Sequence, residues 1–88
     1  MPGDDAESVL ESVGANVRRE RVRLGLTQEG LAERADVDLR FLQRVEQGRT
    51  NLSVRTLCAL AGALAVNPGS LLSAATVVPP RRGRPPKV

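Results

Sequence analysis

The 88 residues include one Phe, one Cys and no His, Trp or Tyr, so the chain supports one small domain with an aliphatic core and no second domain. Without His, and with Cys58 alone, it lacks the parts of a metal-ligand cluster, a Ser/His/Asp triad or a Cys/His pair, and neither enzyme activity nor a cofactor is expected. Residues 1–76 hold nine Arg against ten acids while the last twelve add Arg81, Arg82, Arg84 and Lys87, a basic tail that points to a polyanion, nucleic acid ahead of membrane.

Residues 1–7 are polar, contain Pro and Gly, and are expected to be disordered; they are acidic where a signal peptide is basic, and a cytoplasmic location is the expectation. Ser8 with Glu11 three residues on forms a capping-box pattern, and Val9, Leu10, Val13, Val17 and Leu24 recur near a helical period, which predicts helix 1 over 9–24. Gly25 stands where helices end in a left-handed residue. Thr27 is the expected N-cap of helix 2 over 28–35, with Leu31, Ala32 and Ala35 inward. Asp36-Val37-Asp38 makes a tight connection, Asp38 capping helix 3 over 39–47. Leu42 and Val45, with Val37, form the buried stripe of helix 3, and Arg40, Gln43, Arg44 and Gln47 its opposite face.

Ser53 caps helix 4, which turns Val54, Leu57, Leu60, Ala61 and Leu64 inward. The uncharged run from Leu57 to Val66 is ten residues, short of the roughly 20 that cross a bilayer. Cys58, between Leu57 and Ala59, is expected as a small buried filler. Asn67-Pro68 opens a short helix 5 reaching about Ser73. Beyond Ala74 the chain is proline-rich and aperiodic, an extended tail. With no repeat and no strand pattern, the expected fold is all-α: a compact five-helix bundle over 8–73 between disordered ends at 1–7 and 74–88.

Helices 2 and 3 carry the spacing of a helix-turn-helix. Small Ala32 lies four residues before Asp36 and ten before Leu42, so the two helices can approach where the chain turns sharply. Arg40 and Arg44, four apart on one face, can each present a fork of donors to a guanine; Gln43 can pair with adenine and Leu39 can touch a thymine methyl. The alternative is a plain solvated helix face.

Two stretches resemble the lambda-repressor and Cro type of DNA-binding domain, the XRE family: Arg21-Val22-Arg23-Leu24-Gly25-Leu26-Thr27-Gln28-Glu29-Gly30-Leu31-Ala32, and Phe41-Leu42-Gln43-Arg44-Val45-Glu46-Gln47-Gly48-Arg49-Thr50-Asn51-Leu52-Ser53. Phe41 and Asn51 are most similar to restriction-modification controller proteins. The chain departs from the family at Asp36 for the usual Gly, Gly30 for a good helix former and Leu52 for a common Pro. The resemblance implies a transcriptional regulator such as a repressor, with helix 3 in the major groove of double-stranded DNA. It implies phosphate contacts from Gln28, Arg49 and Asn51, and a structural ion pair between Arg21 and Glu46. Phe41 is expected at the helix edge, against a phosphate-sugar surface or over helix 2.

Arg82-Gly83-Arg84-Pro85 resembles an AT-hook, in which a Gly lets the backbone settle in an A/T-rich minor groove between flanking Arg residues. The alternative is a basic tail that touches phosphates without preference. A homodimer is expected, since one such domain reads only a few base pairs, and Ala63, Val66, Leu71 and Leu72 are its expected interface. An antitoxin-type protein-binding module and an architectural nucleoid protein are the other readings. No small-molecule ligand, membrane partner or metal is expected.

Overall fold

The computed structural model describes residues 5–75, which form α1 (Ala6–Arg23), α2 (Gln28–Ala35), α3 (Leu39–Glu46), α4 (Val54–Leu64) and α5 (Pro68–Leu71), with no strand among them. The expected all-helical, five-helix architecture is what the described residues adopt. Residues 1–4 and the tail sequence from 76 onward lie outside the described residues.

Each helix starts at a side chain that accepts from its first turn, satisfying a backbone donor the helix itself cannot. Thr27 accepts from the Gly30 N–H at 2.9 Å, Ser53 from Thr56 at 3.0 Å and Asn67 from Gly69 at 2.8 Å. Asp38 accepts from Arg40 and Phe41 at 3.0 and 3.3 Å. The start of α1 differs from expectation. Its N-cap is Asp5, not Ser8, because the Ser8 N–H donates to Asp5 Oδ1 at 2.8 Å, and the helix begins at Ala6, so Ala6 and Glu7 belong to α1 and Asp5 to its cap, not to the disordered end expected over 1–7. That accepted hydrogen bond also holds the Asp5 carboxyl below the ordinary carboxylate range. The ends of α3 and α5 are shorter than expected, with Gln47 and Leu72 serving as C-caps.

Four helices close in the same way. The chain turns left-handed at Gly25, Asp36, Gly48 and Ala65 (φ 73°, 58°, 72° and 60°). The next N–H reaches back to an orphan carbonyl: Leu26 to Arg21 at 3.0 Å, Val37 to Ala32 at 3.0 Å, Arg49 to Arg44 at 2.9 Å and Val66 to Ala61 at 2.9 Å. Asp tolerates this geometry better than most residues, but Ala has no side chain with which to compensate it. Ala65→Gly is therefore expected to raise stability by about 0.5 to 1 kcal/mol, seen as a higher denaturant midpoint at unchanged slope. A midpoint at or below that of the unmodified protein would show that the left-handed turn is unstrained.

The helices pack α1 against α3, α4 and α5, α2 against α3 and α4, and α4 against α5. Val13 and Val17, Leu31, Ala32 and Ala35, Leu42 and Val45, and Leu57, Leu60, Ala61 and Leu64 form the core, closed by Leu71. Two residues of α1 tie the bundle together. At buried Gly14, α1 meets the last turn of α3 so closely that a Cβ would lie 2.8 Å from the Glu46 carbonyl oxygen and nearer still to that of Val45. Asn16, 1% exposed, donates from Nδ2 to the carbonyls of Leu71 and Ser73, each at 2.9 Å, and so holds the end of α5. The Ala75 N–H donates to Ser12 Oγ at 3.3 Å, returning the chain to α1.

Three expectations are corrected. Val54, expected inward, is 77% exposed, because the first residue of α4 lies outside the stripe that faces the core. Cys58 is exposed, not a buried filler, because Leu57, Leu60, Ala61 and Leu64 set the inward face of α4 and the helical phase turns position 58 away. Leu71, expected at a dimer interface, is 1% exposed in the core of its own chain, whereas Leu72 is 47% exposed.

Candidate nucleic-acid interface

The sequence of α3 divides it into two faces. Leu42 and Val45 are buried, and Leu39 and Phe41 are half-buried at the edges, packed partly against the core. Arg40, Arg44 and Gln47 are exposed and Gln43 is half-buried. Neither Arg40 nor Arg44 makes an ion pair among the described residues. The helix is thus anchored on one side and offers two exposed guanidiniums on the other. Its approach to α2 is fixed by the connection at residues 36–38, where left-handed Asp36 ends one helix and Asp38 caps the next.

Orientation of α3 about its own axis is set by a polar chain running from α1. Arg21 Nε donates to Glu46 Oε2 at 2.6 Å and an Arg21 terminal nitrogen to Oε1 at 3.1 Å. The two side chains are only 13% and 5% exposed. Removed from water, each charge is compensated by the other, and the fork of two parallel hydrogen bonds fixes direction as well as distance. Arg21 also donates to the Leu26 carbonyl at 2.9 Å. Gln28, the first residue of α2, donates to Glu46 Oε1 at 3.0 Å and accepts from Gln43 Nε2 at 3.5 Å. The chain Arg21–Glu46–Gln28–Gln43 therefore joins three helices and ends at the outward face of α3. The Arg21–Glu46 pair is the one the family resemblance implies; the contacts of Gln28, implied only at phosphate, have no signal in the sequence because their partners stand 18 and 15 residues away.

Two surface grooves border these residues. One is lined by Arg18, Arg21, Gln28, Gln43, Glu46 and Gln47. The other is lined by Glu7, Leu10, Glu11, Arg44, Gly48, Arg49, Thr50 and Asn51, so Arg49 and Asn51 share a surface with Arg44. Both are exposed. Elsewhere, Ala63 and Val66 are half-buried and pack against the core that contains Leu71. Arg82, Gly83, Arg84 and Pro85 lie outside the described residues. No helix among the described residues is long and apolar enough to cross a membrane.

A short capped helix anchored inward, carrying exposed guanidiniums outward and joined to its predecessor by a three-residue turn, is the geometry of a helix-turn-helix. Residues 17–71 match the family model described as helix-turn-helix, HTH_3. The chain belongs to this family, in its XRE type, a class of DNA-binding transcriptional regulators and not of enzymes. It is 39% identical over 69 residues to an uncharacterized transcriptional regulator in the ATPase CF(0) region of Rhodospirillum rubrum, covering 75% of this chain and 64% of that protein. It is 34% identical over 67 residues to the immunity repressor protein of Bacillus phage phi105, covering 76% of this chain and 46% of that one. The chain thus spans less than two thirds of the length of these two relatives. The crystal structure of the restriction-modification controller protein C.AhdI from Aeromonas hydrophila is similar with a TM-score of 0.68 at 35% identity, covering 70% of this chain and 94% of that one.

Proposed function

We propose that the protein is a sequence-specific transcriptional regulator that binds double-stranded DNA as a homodimer, acting in the cytoplasm on the nucleoid. The outward face of α3 carries this reading: Arg40 and Arg44 are exposed and without ion pairs among the described residues, on a helix whose other face is buried. In the proposed complex α3 enters the major groove. Arg40 and Arg44 donate to guanine edges, Gln43 pairs with adenine and Leu39 touches a thymine methyl. Gln28, Arg49 and Asn51 hold backbone phosphates, and the exposed edge of Phe41 lies against the sugar-phosphate surface. Two copies read half-sites roughly 34 Å apart, pairing through Ala63, Val66 and exposed Leu72. Arg82, Gly83, Arg84 and Pro85 extend the contact into an A/T-rich minor groove.

Selection of bound sequences from a random duplex pool tests the reading. A palindrome with fixed half-site spacing is expected, with A/T-rich flanks where the tail engages. Enrichment of no sequence over the starting pool would exclude a specific regulator. With the selected site in hand, Arg44→Ala is expected to weaken binding by about 1 to 3 kcal/mol and to relax preference at one base pair per half-site. Equal weakening on all sequences would reassign Arg44 to phosphate.

A further inference from the structure

The groove lined by Arg18, Arg21, Gln28, Gln43, Glu46 and Gln47 holds one cation that none of the contacts above uses. Arg21 and Glu46 neutralise each other at its floor, with Arg21 Nε 2.6 Å from Glu46 Oε2. The remaining lining is three amide side chains and the guanidinium of Arg18, so the groove has a net charge of one positive unit and amide donors beside it. Arg18 differs from its neighbours on α1. Arg19 and Arg23 both lie against Glu20, at 3.7 and 2.8 Å, whereas Arg18 is exposed and has no ion pair among the described residues. It also shares its groove with Gln43, a residue of the outward face of α3, so whatever enters there meets both.

We propose that Arg18 is a sequence-independent phosphate contact made from α1, holding a phosphodiester of the DNA strand that passes Gln43. The inference rests on α3 facing duplex DNA. An Arg side chain suits the role, because its planar fork can bond two phosphate oxygens at once and stays charged at every working pH. The surrounding amides add donors without charge. A contact here fixes the rotation of α3 in the groove from a helix that reads no bases itself, since α1 and α3 are joined rigidly through Arg21, Glu46 and the close approach at Gly14.

Fluorescence anisotropy on two labelled duplexes, one of mixed sequence and one selected, over about 50 to 200 mM salt, tests the proposal. Arg18→Gln is expected to weaken binding to both duplexes by the same factor, roughly three- to tenfold, and to make the slope of log affinity against log salt shallower by about one. Arg18→Lys is expected to restore the slope, and Arg19→Gln, on the Glu20 side of α1, to change neither quantity. An unchanged denaturant midpoint for Arg18→Gln checks that its fold is intact, as the exposure of Arg18 implies. If Arg18→Gln binds both duplexes like the unmodified protein, the phosphate contact is wrong and the DNA-binding reading stands. A loss confined to the selected duplex, or an equal loss with Arg19→Gln, also overturns it, the first by making Arg18 a base reader and the second by reducing it to diffuse charge. If the unmodified protein binds neither duplex, the regulator reading and this contact fall together.

Discussion

Gly14→Ala is expected to destabilise the protein by about 2 to 3 kcal/mol, even though Ala in a helix interior is intrinsically better than Gly by about 0.8 to 1 kcal/mol. The added methyl would meet backbone, not a flexible side chain: the Glu46 carbonyl oxygen lies 2.8 Å from the Cβ position, with the Val45 oxygen nearer. Rotamer changes cannot relieve that contact. α1 and α3 must separate, which loosens Val13 and Val17 against Leu42 and Val45 and pulls Arg21 from Glu46. A denaturant titration at unchanged slope measures the loss. A Gly14→Ala protein as stable as the original would mean that the two helices can move apart freely. The same displacement shifts the outward face of α3, so DNA affinity should fall even where most molecules remain folded.

Glu46→Gln is expected to cost about 2 to 4 kcal/mol, far more than Glu33→Gln on the exposed side of α2. The Glu46 carboxylate accepts from Arg21 Nε, from an Arg21 terminal nitrogen and from Gln28, at 2.6, 3.1 and 3.0 Å. An amide in its place turns a donor toward other donors and strands the largely buried Arg21 charge without its partner. A melt midpoint for Glu46→Gln equal to that of Glu33→Gln would show the pair to be solvated. The double replacement Arg21→Met with Glu46→Leu separates two roles. Removing both charges should recover much of the stability, because no buried charge is left uncompensated, yet without the fork the rotation of α3 is unset and specific DNA binding should stay weak.

What the sequence disclosed and what it hid follow from the range of each interaction. Both boundaries of α2 and the start of α3 were legible because Thr27, Asp36 and Asp38 act on backbone groups within a few residues of themselves. The start of α1 was not, since Asp5 and Ser8 are both good caps three residues apart and the choice turns on which one the chain aims at the other. The outward residues of α3 could be read from helical periodicity. Gly14 and Asn16 could not, because in the sequence they are a weak helix former and a polar residue on an apolar helix, and their use becomes visible only beside carbonyls 31 and 55 residues further on. For Cys58 the apolar neighbours misled. The stripe formed by Leu57, Leu60, Ala61 and Leu64 is centred on the side of α4 away from position 58, so the full helical phase, and not the apolar character of the two flanking residues, places Cys58.

The Asn16 clamp on α5 also bears on the order of folding. The contacts of Asn16 with Leu71 and Ser73, and of Ser12 with Ala75, close loops of 55, 57 and 63 residues, against 25 for Arg21 with Glu46. Each doubling of loop length adds only about 0.6 kcal/mol of closure entropy, but the reward at the far end is small, a four-residue helix bringing one buried leucine. Docking of α5 therefore belongs after the rate-limiting step, once α1 to α4 have assembled the surface it joins. In stopped-flow kinetics, Asn16→Ala should accelerate unfolding and leave the refolding rate nearly untouched, making α5 a latch whose release governs the lifetime of the native bundle without governing how fast that bundle forms.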